Sequence, residues 1–204
     1  HLGVSQSDRV VWLMEELGLE YKLEWYDRGE DMMAPPEFRA LHPVATAPLI
    51  KDGDLVLAES VAIVEYISNR YGGGKLSVGA DSKNDADYLY WMQLNHNMQS
   101  AFFTKVAAGE EADESNMMVK VSNRRMDGYI AMLETRLGES DYLAGDQFSN
   151  AEIMAMFPLT ILMGFAGITF EDKPNIQAYI DRVTKRPAYI KAMKIAGPEA
   201  QKPA

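Results

Sequence analysis

Three consecutive glycines, Gly72-Gly73-Gly74, divide this chain into two halves that cannot fold alike. Ahead of them, short apolar runs of both periods alternate; behind them nearly every segment repeats at the helical period, and no convincing strand appears after residue 80. A glycine run packs no side chain and is costly to order, so it marks a boundary rather than an element. With 204 residues the chain exceeds one average domain. The pattern predicts an α/β domain over 1–74 and an all-α helical domain over 82–204. No internal repeat competes with that division.

Ser5-Gln6-Ser7-Asp8 resembles a helix start, and Val10, Val11, Leu13, Met14 and Leu17 follow at helical spacing until Gly18 stops them. Tyr21 to Tyr26 alternates as a strand does. Pro35 and Pro36 open a short helical turn through Leu41. Ala47–Ile50 and Leu55–Ala58 flank Lys51-Asp52-Gly53-Asp54, which predicts a hairpin. Ser60 then caps a helix with Ile63, Ile67 and Tyr71 on one face. In the second half the spacing predicts helices over 84–108, 114–138, 150–167, 173–184 and 187–195.

Charge and composition narrow the partners. The net charge is −10 with a pI near 4.8, which repels nucleic acid backbones and anionic membrane surfaces. There are 0 cysteines, so no disulfide, thiolate metal site or protein thiol nucleophile is available, and any sulfur chemistry needs a cofactor. Zero cysteine fits a reducing compartment. The 3 histidines are scattered and form no metal constellation. Ile153 to Phe170 carries no charge, but Pro158, Gly164 and Gly167 interrupt it and Glu152 and Glu171 flank it, so a buried central helix is expected, not a membrane span. No signal peptide is visible in a chain that starts at His1.

Three spots in the first half carry chemistry. Ser5 lies at a helix N-terminus, where unpaired N–H groups favour an anion, and its hydroxyl either caps that helix, as Ser7 also can, or donates to a thiolate. Thr46-Ala47-Pro48-Leu49 places a proline at a strand start. A trans bond is the ordinary outcome there; a cis bond turns the Ala47 amide and carbonyl outward toward an extended peptide. Glu59-Ser60 precedes a helix, either as a plain cap with a solvated glutamate or as a grip on the charged end of an amino acid.

Together, Ser5-Gln6-Ser7-Asp8-Arg9, the run Trp12 to Leu19, Ala47-Pro48-Leu49 and Glu59-Ser60-Val61-Ala62-Ile63 resemble the signatures of cytosolic glutathione S-transferases of the serine type, bacterial-like in character. Tyr142 to Glu152 resembles that family's capping motif, with Ser149 and Glu152 as a capping box and Phe148 as a staple onto Ile153. The match runs in order along nearly the whole chain. It implies a thioredoxin-like N-terminal domain, whose first strand is largely missing ahead of Ser5, and a helical C-terminal domain.

By the same resemblance, glutathione is the co-substrate. Ser5 activates its thiol, with Ser7 as the runner-up. Ala47, ahead of a cis Pro48, pairs with its cysteinyl backbone, and Ser60 with Glu59 holds its γ-glutamyl end. Many members carry a lysine where this chain has Thr46, and His42, Lys51 or Arg39 are the substitutes for its contact with the glycyl carboxylate. The electrophile is expected to be small and apolar, with Tyr88, Trp91, Met92, Asn95, Phe102, Phe103, Met117 and Met118 as candidates to meet it, whereas Met154, Met156 and Met163 read as core. The resemblance further implies a cytoplasmic homodimer working in detoxification. Glutathione-dependent peroxidase, dehalogenase or isomerase activity would use the same first-domain site, and a non-catalytic binding or scaffold module is the rival from another class.

Overall fold

The computed structural model describes residues 1–109, 115–165 and 167–202, which form two compact units, His1–Ser77 with Thr184–Ala204, and Val78–Val183. In chain order the elements are α1 (Asp8–Leu17), α2 (Pro36–Arg39), β1 (Leu49–Asp52), β2 (Leu55–Ala58), α3 (Ser60–Arg70), α4 (Asp85–Met92), α5 (Leu94–Ala108), α6 (Met117–Glu139), α7 (Asn150–Met156), a π-helical turn (Phe157–Leu162), α8 (Met163–Phe165), α9 (Pro174–Thr184) and α10 (Pro187–Ala196).

In the first unit, α1 buries Val11, Trp12 and Leu13, each apolar side chain contributing about 1.5–3 kcal/mol. It ends where Gly18 takes φ 65 and the N–H groups of Gly18 and Leu19 reach the carbonyls of Glu15 and Met14. The predicted hairpin is antiparallel, with Leu49 opposite Ala58 and Asp52 opposite Leu55, and Gly53 at φ 58 turns it. Ile63, Val64 and Ile67 on α3 are buried, whereas Tyr71 is half exposed.

The chain returns to this unit at its end. Helix α10 packs on α1, with Tyr189 edge-on to Trp12 at 4.9 Å between ring centres. Arg186 clasps Glu16 with Nε and Nη2 at 2.6 and 2.8 Å, and Trp12 Nε1 donates to the same carboxylate at 2.9 Å.

Tyr21 to Tyr26 does not form the expected strand. Among the described residues it pairs with residues 1–3 alone, through a parallel bridge between Leu2 and Tyr26 made by Tyr26 N–H to His1 O at 2.8 Å and Gly3 N–H to Tyr26 O at 3.1 Å, and through the His1 amino nitrogen donating to Glu24 O at 2.7 Å. Strand assignment needs a ladder partner along the segment, and residues 1–3 reach only its end. A cavity of about 530 Å³ opens between Glu20–Tyr26 and Leu49–Asp52, with Val10, Val11 and Met14 of α1 on its wall.

In the second unit the helix expected over 84–108 is two. Gln93 makes a tighter turn, its N–H bonding Tyr90 O, which allows Trp91, Met92 and Leu94 to be buried together. Helix α6 starts at Met117, capped by Asn116, whose side chain accepts from the N–H groups of Met118 and Val119; Glu114, the expected start, lies outside the described residues.

The capping box before α7 is present. Glu152 accepts from Ser149 N at 2.7 Å, Ser149 Oγ at 2.9 Å and Leu143 N at 2.8 Å, and Ser149 Oγ accepts from Ala151 N at 3.2 Å. Every residue of α7 is buried, as expected of a central helix. Pro158 cannot donate and its ring crowds the preceding turn, and there the helix widens into the π-helical turn. Among the described residues no helix is long and apolar enough to cross a membrane.

Candidate functional site

The first turn of α1 begins behind two serines whose side chains point away from it. Ser7 holds the N-cap position, yet no side chain caps the helix. Ser5 Oγ donates to Leu2 O at 2.6 Å and lies 2.7 Å from Ser7 Oγ, which in turn lies 2.6 Å from His1 Nδ1. The first-turn amides are met otherwise: Asp8 N–H bonds Ser5 O at 3.3 Å, Val10 N–H bonds Ser7 O at 3.1 Å and Arg9 N–H donates to the Asp8 carboxyl. Behind them Asp8 and Arg9 are buried. Burial pushes the Asp8 carboxyl well up, and the Arg9 charge pulls it partly back. Burial likewise lowers Arg9, opposed by Asp8.

The Ala47–Pro48 peptide is cis, the second of the two outcomes weighed for it, and Pro48 is buried while Thr46 is exposed. The register pairs Leu49 with Ala58, so Pro48 and Glu59 are the next residues outward on the two strands. The hairpin therefore brings the proline and the Glu59–Ser60 pair to one end. Pro48 and Ser7 both line the 530 Å³ cavity, which runs along the hairpin as far as Asp52.

Glu59, not Ser60, holds the N-cap position of α3, at φ 71, a left-handed conformation rare for a residue with a side chain. Ser60 is the first residue of the helix rather than its cap. Such strain gathers at functional sites, and here it turns the Glu59 side chain, which is exposed, at the mouth of a helix N-terminus.

Ala47, Pro48, Glu59 and Ser60 thus lie at one end of the hairpin, and Ser5 and Ser7 belong to the same unit. Of the candidates to stand in for the lysine, His42 Nδ1 accepts from Val44 N at 3.2 Å, and Lys51 lines the cavity. In the second unit Tyr88, Trp91, Met92 and Asn95 are buried, as are Met154, Met156 and Met163. Tyr88 accepts a hydrogen bond from Asn150 at 3.2 Å. Phe103, Met117 and Met118 are exposed. Among the described residues no group of His, Cys, Asp and Glu is placed to hold a metal ion.

Two participants had no sequence signal. His1 was one of three isolated histidines, and its ring meets Ser7 only because residues 1–3 lie along Tyr26. Arg28 reaches back to that segment, donating to Gly3 O at 2.9 Å and Val4 O at 3.2 Å.

A small thioredoxin-like unit with a cis-proline hairpin and an uncapped helix end, joined in one chain to an all-helical unit, defines the glutathione S-transferase fold. The family model described as the glutathione S-transferase N-terminal domain matches residues 5–70, and that of the C-terminal domain matches residues 94–187. Glutathione S-transferase 3 of Schizosaccharomyces pombe is 30% identical over 210 residues, covering 92% of this chain and 83% of its own. Glutathione S-transferase GstB of Escherichia coli is 28% identical over 195 residues, covering 92% of both. The crystal structure of a glutathione S-transferase from Actinobacillus pleuropneumoniae aligns with TM-score 0.87 and 32% identity, covering 100% of this chain and 94% of that one. The chain belongs to the glutathione S-transferase family.

Proposed function

We propose that this glutathione transferase ionises the thiol of glutathione at Ser5 and transfers it to a small apolar electrophile. The observation that carries the reading is the pair of hydrogen-bonded serines at the start of α1, with the cis Ala47–Pro48 peptide in the same unit. An incoming thiolate gains the positive end of the helix and a hydroxyl proton, both of which lower its pKa. Ala47 offers its backbone to the cysteinyl residue, Ser60 and Glu59 meet the γ-glutamyl carboxylate and ammonium, and Thr46 lies beside the glycyl end. Ser7 supports Ser5 rather than touching sulfur, since its hydroxyl lies between Ser5 and His1.

The reading takes 1–74 as the glutathione half and 82–204 as the helical half, and includes a cytoplasmic homodimer that removes electrophiles. Exposed Leu89, Tyr90 and Met132 support a second copy as partner, Tyr90 Oη lying 3.5 Å from Met132 Sδ. The test is conjugation of a chloro-nitroaromatic by full-length protein in excess glutathione, wild type beside Ser5→Ala. Loss of the donor lowers kcat by about 10²-fold while glutathione still binds. Equal rates would overturn the assignment of Ser5.

A further inference from the structure

Ser5 has one proton to give, and its direction is set by a chain of hydrogen bonds that starts at His1. From the imidazole the chain runs His1 Nδ1 to Ser7 Oγ at 2.6 Å, Ser7 Oγ to Ser5 Oγ at 2.7 Å and Ser5 Oγ to Leu2 O at 2.6 Å. A serine hydroxyl carries a single donor and a carbonyl carries none. Two proton orders satisfy the serine pair. In the first, His1 Nδ1–H donates to Ser7, Ser7 to Ser5, and Ser5 to the carbonyl. In the second, Ser5 donates to Ser7 and Ser7 to a bare Nδ1, which leaves Leu2 O unfed and turns the Ser5 proton inward.

The other ring nitrogen selects between them. His1 Nε2 is buried with no hydrogen-bond partner among the described residues, and the ring lies on Trp25 at 4.3 Å between centres. A buried N–H without an acceptor is the costlier orphan, whereas a bare ring nitrogen leaves only a lone pair unmet. The environment thus favours the tautomer with its proton on Nδ1, and with it the first order. In that order Ser5 accepts from Ser7 as it donates, and each donor strengthens the next. A thiolate arriving at Ser5 then competes with a single acceptor, Leu2 O, for a proton already directed away from Ser7.

We propose that His1, acting through Ser7, is a positioning residue that presents the Ser5 proton to the thiol of glutathione. The proposal rests on the reading above that Ser5 meets the sulfur. Trp25, whose Nε1 donates to Asp27 at 2.8 Å, and Arg28, which holds the carbonyls of Gly3 and Val4, keep the His1 segment in place. The charged groups around the chain are Asp8 and Arg9 in the first turn of α1, and Glu24 and Arg28 along the segment facing residues 1–4.

The test titrates the thiolate absorbance of glutathione bound to the full-length protein, beside kcat and the dissociation constant for glutathione. Ser5→Ala raises the bound thiol pKa by about one unit or more, the loss of a hydrogen bond to a charged acceptor. Ser7→Ala and His1→Phe each raise it by about half a unit, a roughly threefold loss of thiolate below the pKa, with glutathione affinity changed less than twofold. His1→Asn, which restores a donor near the Nδ1 position, recovers most of the shift. Adding Ser7→Ala to Ser5→Ala has no further effect, because Ser7 acts only through Ser5. If Ser5→Ala shifts the pKa and neither Ser7→Ala nor His1→Phe does, the relay is refuted and the role of Ser5 stands. If Ser5→Ala shifts nothing, the assignment of Ser5 falls first. Should His1→Phe fail to fold, Ser7→Ala alone decides.

Discussion

Glu152 is buried with 0% of its surface exposed, and its carboxylate accepts from Leu143 N, Ser149 N and Ser149 Oγ. Burial nevertheless outweighs these donors and raises its pKa from 4.5 to about 6. A raised carboxyl binds its proton more tightly in the folded chain than in the unfolded one. Its contribution is therefore fully present below pH 4.5 and is lost as pH rises through about 6. At 1.36 kcal/mol per unit, the loss is about 2 kcal/mol.

Glu152→Gln removes the titration and presents an amide N–H₂ to donors that need an acceptor. One or two orphaned donors cost about 3 kcal/mol near pH 4, where the wild type keeps its full stability. Near pH 7.5 the wild type has surrendered about 2 kcal/mol of its own, and the penalty shrinks to about 1 kcal/mol. Urea unfolding followed by tryptophan fluorescence measures both, with buried Trp91 reporting on the unit that holds Glu152. A penalty that is constant, or that grows toward high pH, would refute the reasoning.

Two further outcomes follow from the same geometry. Arg186→Met removes both hydrogen bonds to Glu16, a carboxylate only 8% exposed, and destabilises the protein by about 2–3 kcal/mol in the same urea assay. On the proposed placement of glutathione, Thr46→Lys puts a cation beside its glycyl end and lowers its KM by about 3–10-fold, a charge-assisted contact of about 1 kcal/mol, with kcat unchanged; an unaltered KM would exclude position 46 from the site.

Local signals were the legible ones. Gly18 and Gly53 announced a helix stop and a hairpin turn, and both take the positive φ that such places require. Ser149-Asn150-Ala151-Glu152 spelled its capping box in four letters, and the structure closes it with hydrogen bonds among those residues. What depended on distant partners was not legible. Tyr21–Tyr26 has the alternation of a strand but lacks a neighbour along its length. The turn at Gln93 has neither proline nor glycine to mark it, because it serves the burial of Trp91 and Leu94 on either side. The candidate site divides in the same way. Ser5, Pro48 and Ser60 stood out by type and setting, whereas His1 and Arg28 enter through contacts that only the folded backbone creates.

The return of the chain end to α1 has a consequence for how the molecule is made. The unit that carries Ser5 is assembled from segments made far apart in time, since Thr184 onward packs with His1–Ser77. While the ribosome is still extending the intervening helices, Trp12 has no Tyr189 to rest against and Glu16 no Arg186 to neutralise it. Emergence of α10, not of the segment that holds Ser5, is the moment at which the Ser5-bearing unit acquires its full support. Deletion of α10 would be felt there rather than in the helices that precede it in the sequence.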